Sequence, residues 1–246
     1  IYTSDEAYLR KVVEEARKIG SGLVTHLSET KKEFEDCISE HKMTPAEYLD
    51  SLGYFDCDGI KIAAHCVHMT DNDMDILAAK NVSAAINMSS NLKLASGVAD
   101  VPKLSARGVN VSLGTDGASS NNNLNMFNEM RFASLVCKGL MRDPEIMNAS
   151  TVITMATANG AKAVRNKKTG VIAQGNLADI ILINADSPSI APVNDVACAI
   201  VYSAQASDVD TVICDGKILM RKKCLVTIDE EETVKNAKLF AKRILG

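Results

Sequence analysis

Four short apolar segments that alternate with helix patterns constrain the fold of this 246-residue chain more than any other feature. They predict strands at residues 23–25, 59–64, 82–86 and 109–113. The stretches between them carry helix caps and helical spacing of apolar residues. Strands that are apolar along their length and alternate with helices are typical of a parallel sheet covered on both faces. The sequence therefore predicts an α/β fold.

The pattern changes near residue 167. Residues 122–164 predict helices, whereas the chain from residue 168 onward consists of short β-rich segments separated by turns. The predicted strands of this part lie at residues 170–172, 178–183, 197–202 and 209–214. A final amphipathic helix is predicted over 230–245. We therefore expect two domains, residues 1–167 and residues 168–246.

Composition narrows the class of protein. An apolar content of 46% and a charged content of 24% are ordinary for a soluble globular chain. The net charge of -4 offers no basic surface, so we expect no nucleic-acid partner and no membrane partner. The seven cysteines include no Cys-x-x-Cys pair, which favours reduced thiols and a cytoplasmic protein. Cys66, Cys198 and Cys214 lie in apolar segments and are predicted to be buried.

Polar side chains lie where the predicted strands end. His26, His65, Asn87 and Asp116 follow four successive strands, and the carboxyl ends of parallel strands meet at one edge of a sheet. Glu29 comes three residues after His26. Imidazole and carboxylate groups together are typical of a metal-activated water and a proton carrier.

Each residue also has a simpler interpretation when it is taken alone. His26 could be a rim histidine that hydrogen-bonds a backbone carbonyl. Asp116 lies in Gly-Thr-Asp-Gly, which also satisfies ordinary turn chemistry. Glu29 could stabilise the start of the next helix. The arrangement of these residues, rather than any one of them, therefore indicates a site.

Four phrases of the sequence, read in order, carry a family resemblance. They are THLSET, AAHCVHMT, NMSSNLKLASG and LGTDGASSNNNLNMFNEMR. In that order they resemble the amidohydrolase superfamily, most closely its branch of S-adenosylhomocysteine and 5′-methylthioadenosine deaminases with related triazine hydrolases. The resemblance covers nearly the whole chain. It implies the C-terminal half of a (β/α)8 TIM-type barrel, strands five to eight, followed by part of a small β-sandwich.

The resemblance also implies roles for individual residues. His26 and Asp116 would bind one divalent metal, zinc or alternatively iron. Glu29 would hydrogen-bond the heterocycle and carry a proton, and Asp116 would accept the proton of the attacking water. His65 would orient the water or the substrate. Glu29, His65 and Asp116 would thus be both the catalytic and the substrate-binding residues.

The chain departs from the family pattern in what it lacks. Members of the branch carry a His-x-His pair on the first barrel strand, and no such pair occurs among the four histidines, His26, His41, His65 and His68. We therefore expect a C-terminal portion of a longer enzyme, covered by the N-terminal part of the same chain or by another copy in a homo-oligomer. By itself this portion is expected to bind metal weakly and to show no measurable turnover, because a zinc site normally needs three protein ligands and a water.

The function implied by the resemblance is hydrolytic deamination of an adenine-type nucleoside, such as S-adenosylhomocysteine, 5′-methylthioadenosine or adenosine. Metal-activated hydroxide would attack the ring carbon that bears the amine, and ammonia would leave. The partner is then a small heterocyclic substrate. A triazine or guanine-type amidohydrolase is the alternative enzyme, and a noncatalytic barrel protein is the alternative of another class.

Overall fold

Two sheets make up the β structure of the computed structural model, which describes residue 1 and residues 3–246. In these residues each sheet has four strands. The first sheet is parallel throughout, in the order β1 (Leu23–Leu27), β2 (Lys61–His65), β3 (Ser83–Ile86) and β4 (Asn110–Leu113). The second is antiparallel, in the order β5 (Ile180–Ile183), β6 (Val209–Cys214), β7 (Lys217–Arg221) and β8 (Cys224–Leu225). The predicted α/β fold with a parallel sheet is confirmed.

Helices connect the parallel strands and lead into the second sheet. They are α1 (Glu6–Ile19), α2 (Lys31–His41), α3 (Pro45–Ser51), α4 (Asp71–Ala79), α5 (Met88–Lys93), α6 (Val101–Ala106), α7 (Ala118–Asn121), α8 (Met126–Met141), α9 (Ala149–Ala156), α10 (Ala158–Ala163), α11 (Val196–Cys198) and α12 (Glu230–Leu245). Helix α4 starts at a capping box in which the side chains of Thr70 and Asp73 bond each other's backbone N–H groups. None of the helices in the described part of the chain has the length and apolarity to cross a bilayer.

The register of the parallel sheet aligns the carboxyl ends of its strands. Leu27 pairs with His65, and Ile86 pairs with Leu113. The loops that follow the four strands therefore leave the sheet at one edge. This edge carries the residues that sequence analysis selected.

The hydrophobic core lies between the parallel sheet and the helices packed on it. Leu27 of β1 and Ile86 of β3 are fully buried, as are Leu49 of α3, Leu77 of α4 and Leu104 of α6. Each fully buried leucine or isoleucine stabilises the fold by about 1.5–3 kcal/mol relative to an exposed one. These residues belong to one cluster of buried side chains that also includes residues of all four parallel strands.

Some sequence predictions for the C-terminal part are wrong. Residues 170–172 form no strand. Residues 197–202 form helix α11 and a π-helical segment, Ala199–Ser203, instead of a strand. Periodicity cannot distinguish a short apolar strand from a short apolar helix, and the Asp195 side chain caps this segment by accepting from the Cys198 N–H. Cys66 is buried as predicted, but Cys198 and Cys214 are exposed.

Candidate active site

Two histidine rings meet where the first two parallel strands end. His26 lies in β1 and His65 is the last residue of β2. Their ring centroids are 5.0 Å apart and the ring planes are almost perpendicular, at 88°. His65 has a left-handed backbone with φ of 73°, which a non-glycine residue rarely adopts. Because this conformation ends the regular alternation of the strand, it allows His65 to face the neighbouring strand's histidine.

Glu29 completes a group of three potential metal ligands. One ligand atom each from His26, Glu29 and His65 lies within 4.8 Å of the other two. His65 and Glu29 are buried, whereas His26 is exposed. Two imidazole nitrogens and a carboxylate oxygen are donors that suit Zn²⁺ and similar divalent cations. The residues present therefore fit a site for a single divalent metal, and this site is open to solvent on the side of His26.

The orientation of the His65 ring is set by an asparagine from the next loop. Its Nδ1 lies 2.7 Å from Oδ1 of the buried Asn91 in α5, and since an amide oxygen only accepts, the imidazole donates from Nδ1. In its uncharged form the ring then presents the lone pair of Nε2. That nitrogen lies 3.8 Å from Oε2 of Glu29. Asn91 thus selects the nitrogen that faces the site.

Asp116 lies in the turn after β4 and accepts three hydrogen bonds. The hydroxyl of Ser90 donates to Oδ2 at 2.6 Å and that of Ser120 at 2.7 Å. The backbone N–H of Gly117 donates to Oδ1 at 2.7 Å. Burial raises the pKa of Asp116, but these donors and the nearby His65 outweigh it and bring the pKa below its ordinary value. Asp116 is thus held as a carboxylate that can accept a proton.

The loop that carries Glu29 is fixed by a second buried glutamate that sequence analysis missed. Glu33 of α2 accepts the backbone N–H groups of Ser28, at 3.1 Å, and Glu29, at 2.7 Å. Its side chain is 3% exposed, so these bonds are sheltered from water. The one sequence signal was its place three residues after the N-cap Thr30, where an acidic side chain reaches back toward the helix start.

The backbone of Gly114 lies close to the side chain of Asn87, where the last two parallel strands end. A Cβ added at Gly114 would lie 2.5 Å from Oδ1 of Asn87, and the Gly114 N–H donates to the carbonyl of Ile86 at 2.9 Å. Glycine at this position therefore lets the turn bearing Asp116 leave β4 alongside the end of β3.

The structure brings three of the four predicted site residues into one group. Asp116 is not a member of the group formed by His26, Glu29 and His65, although His65 acts on its carboxylate electrostatically. The assignment of His26 and Asp116 as metal ligands stays a prediction. A cavity of about 720 Å³ lies at the other end of the sheet, against Lys61, Ser83 and Asn110. Its lining does not include His26, Glu29, His65 or Asp116.

Comparison with known proteins identifies the family of this chain. The sequence pattern of the Amidohydrolase family matches residues 2–219. A 5-methylthioadenosine/S-adenosylhomocysteine deaminase of Acetivibrio thermocellus is 50% identical over 246 residues, which are 100% of this chain and 57% of that protein. A 5′-deoxyadenosine deaminase of Methanothermobacter thermautotrophicus is 45% identical over 245 residues, with the same 100% and 57% coverage.

A solved structure shares the fold. The crystal structure of an adenosine deaminase from Xanthomonas campestris with bound zinc has a TM-score of 0.93 and 30% identity, over 99% of this chain and 55% of that one. The chain thus spans little more than half the length of these relatives. The resemblance inferred from the sequence phrases is confirmed, and the match over residues 2–219 shows that this chain belongs to the amidohydrolase family.

Proposed function

We propose that the protein containing this chain is a metal-dependent hydrolytic deaminase of an adenine-type nucleoside, namely S-adenosylhomocysteine, 5′-methylthioadenosine or adenosine. The observation that carries the proposal is the group of His26, Glu29 and His65 at the carboxyl edge of the parallel sheet. The names of the relatives favour a nucleoside over the triazine and guanine-type rings that sequence analysis left open.

The proposed architecture is the C-terminal half of a (β/α)8 barrel, residues 1–167, followed by part of a β-sandwich, residues 168–246. Strand order supports it, because each parallel strand pairs with the next in sequence, as in a barrel, whereas a doubly wound sheet reverses its order. One face of β1 is open, with Val24 62% exposed. The N-terminal part of the same chain, or a second copy, would cover this face.

The proposed metal ligands of this chain are His26 and Asp116, and Zn²⁺ fits the nitrogen and oxygen donors grouped at this edge. When bound, such a cation lowers the pKa of a water molecule toward neutrality and so makes a nucleophile available without a strong base. His26 is the exposed donor of the group, and it would therefore lie on the side from which the metal enters.

The remaining side chains would move protons. Water forms the new C–O bond at the ring carbon that bears the amine, and Asp116, which is held as a carboxylate, accepts the water proton. Glu29 protonates the adjacent ring nitrogen and later recovers a proton from the new hydroxyl. Asp116 passes its proton to the amine, the C–N bond breaks and ammonia leaves. His65, with Nε2 facing the site, orients the water or the ring.

The test is ammonia release by the full-length protein that contains these residues, loaded with zinc. Adenosine, 5′-deoxyadenosine, 5′-methylthioadenosine and S-adenosylhomocysteine are compared with guanine and a triazine. Activity on the adenine nucleosides is expected, and D116N and E29Q should each lower kcat by about 10²- to 10⁴-fold. The exposed substitution E230Q in α12 is the control and should leave kcat unchanged. Turnover of only guanine or the triazine would overturn the proposal.

A further inference from the structure

The first turn of α8 contains a buried carboxylate whose role the proposed mechanism does not use. Glu129 is 0% exposed, and no ion pair of the described residues includes it. Ionised side chains are costly to bury without a charged partner. Glu129 is instead held by two neutral donors, and both belong to the segments that carry the candidate site.

The first donor lies at the start of α5. The backbone N–H of Ser89 donates to Oε2 of Glu129 at 3.1 Å, across 40 residues of sequence. The next two residues contact the site: the Ser90 hydroxyl donates to Asp116, and Asn91 accepts from His65. A carboxylate at this helix start therefore fixes the turn that orients both side chains.

The second donor lies in α7, after the turn that carries Asp116. The side-chain amide of Asn121 donates to Oε1 of Glu129 at 2.8 Å and to the carbonyl of Thr115 at 2.7 Å. Asn121 is buried, and both of its N–H groups are used. Thr115 directly precedes Asp116, which has a left-handed backbone with φ of 59°. The amide thus connects Glu129 to the backbone that holds Asp116 in a sparsely populated conformation.

We propose that Glu129 is a positioning residue that holds α5 and the turn after β4 together and thereby fixes the relative placement of Asp116 and His65. The inference rests on the proposed function, because Asp116 and His65 act in that reaction. Among the described residues, Glu129 makes no hydrogen bond to Asp116 or His65. It acts through Ser89 and Asn121, whose segments converge on Asp116 from both sides.

The decisive variant is E129Q, which keeps the shape of the side chain. An amide has one oxygen and one NH₂ group, so it can accept from Ser89 or from Asn121 but not from both, and its NH₂ then faces a donor. Hydrogen exchange of this chain should show lost backbone protection at residues 88–93 and 114–121. In the full-length protein, kcat should fall by about 10- to 100-fold, the range for residues that support ligands and catalytic groups, while KM stays within about threefold.

Asp208 provides a matched control away from the site. It is a buried carboxylate in the second domain that accepts from Ser187, Ser189 and the backbone N–H of Gln205. D208N removes a similar set of hydrogen bonds, so it should destabilise the chain and expose residues 187–208 to exchange, but it should leave kcat unchanged. A loss of kcat in D208N equal to that in E129Q would mean that general destabilisation explains both.

N121A keeps the inference testable if E129Q does not fold. This variant removes the bonds of Asn121 to Glu129 and Thr115 and the bond that it accepts from the Leu124 N–H, but it leaves the bond from Ser89 to Glu129 in place. Protection should therefore be lost at 114–121 and retained at 88–93, with a smaller loss of kcat. Full protection and full kcat in both E129Q and N121A would overturn the inference. If the unmodified protein deaminates no nucleoside, the proposed function fails by itself, and the exchange experiment still decides whether Glu129 holds the two segments.

Discussion

At the scale of the residue, the hydrogen bond from His65 Nδ1 to Asn91 decides which ring nitrogen faces Glu29. N91A removes the acceptor, so the ring can exchange between its two neutral forms. We predict that the imidazole ¹⁵N shifts of His65 in this chain change from those of a protonated Nδ1 to those of a mixture, and that kcat of the full-length protein falls about 10- to 100-fold.

N91D is the matched variant for this prediction. A carboxylate still accepts from Nδ1, so the Nδ1-protonated form should persist and more activity should remain than in N91A. Unchanged ¹⁵N shifts in N91A would show that Asn91 does not set the form of the ring. Because the shifts are measured on the chain itself, this result does not depend on substrate or metal.

At the scale of the element, the contact between the ends of β3 and β4 depends on a missing side chain. A Cβ at Gly114 would lie 2.5 Å from the Asn87 amide oxygen, and Asn87 is buried. We predict that G114A lowers the free energy of unfolding by about 1–3 kcal/mol, the usual cost of overpacking, as measured by urea denaturation.

Gly139 in the last turn of α8 supplies the opposite case. A Cβ there would meet no atom of the described residues within 4 Å, and alanine is favoured over glycine inside a helix by about 0.5–1 kcal/mol. G139A should therefore raise the free energy of unfolding. If G114A and G139A both raised the free energy of unfolding, the contact with Asn87 would not be the reason for glycine at position 114.

A pH-dependent contribution is expected at the loop that precedes β6. The hydroxyl of Ser187, the backbone N–H of Gln205 and the hydroxyl of Ser189 hold the pKa of Asp208 below its ordinary value, against the effect of burial. A group with a lowered folded pKa stabilises the fold above its unfolded pKa, about 3.9, and loses this contribution as the pH falls through the folded value. D208N should therefore destabilise the chain at pH 7.

The measurement is a pair of urea titrations, at neutral pH and near the acid limit of folding. The difference between the unmodified chain and D208N is expected to shrink as the pH falls, because protonation removes the advantage of the carboxylate. A difference that grows toward acid pH would mean that the folded pKa of Asp208 is raised rather than lowered.

Elements with a local signal were predictable, and those defined by distant contacts were not. Capping at Thr70 and the strand that ends at His65 are local features, and the structure has both. The apolar segment 197–202 has no period that separates strand from helix. Glu129 likewise had no local signal, because its partner Ser89 is 40 residues away. Strand order predicted that His26, Glu29 and His65 lie at one edge, but the left-handed backbone of His65 and the loop contacts of the buried Glu33 were not predictable from it.

At the scale of the whole molecule, two surfaces of the described chain expose apolar side chains. Strand β1 is an edge of the parallel sheet with an exposed face. Helix α12 has no buried residue, and even its aromatic side chain, Phe240, is 60% exposed. Exposed apolar surface of this kind normally marks contact with another segment or subunit. We expect the same exposure to lower the affinity of the chain for a metal.

The metal affinity of the chain alone should therefore be low. Its grouped donors come from one edge of an open sheet, and the most accessible of them, His26, is exposed. A ligand that binds the folded chain stabilises it by about 2.7 kcal/mol at a free concentration of 100 times Kd. We predict that equimolar zinc at micromolar concentration leaves Tm almost unchanged, and that only a large excess raises it.

H26A is the control for that measurement, since it removes one donor from an exposed position and should abolish the rise in Tm at high zinc. Metal analysis after dialysis can contradict the prediction. If one zinc per chain is retained without added metal, this edge of the sheet holds a complete site. In that case the three grouped side chains and Asp116 would suffice for binding. The expected result, loss of zinc on dialysis, would support the proposal that the full-length protein supplies further ligands from outside this chain.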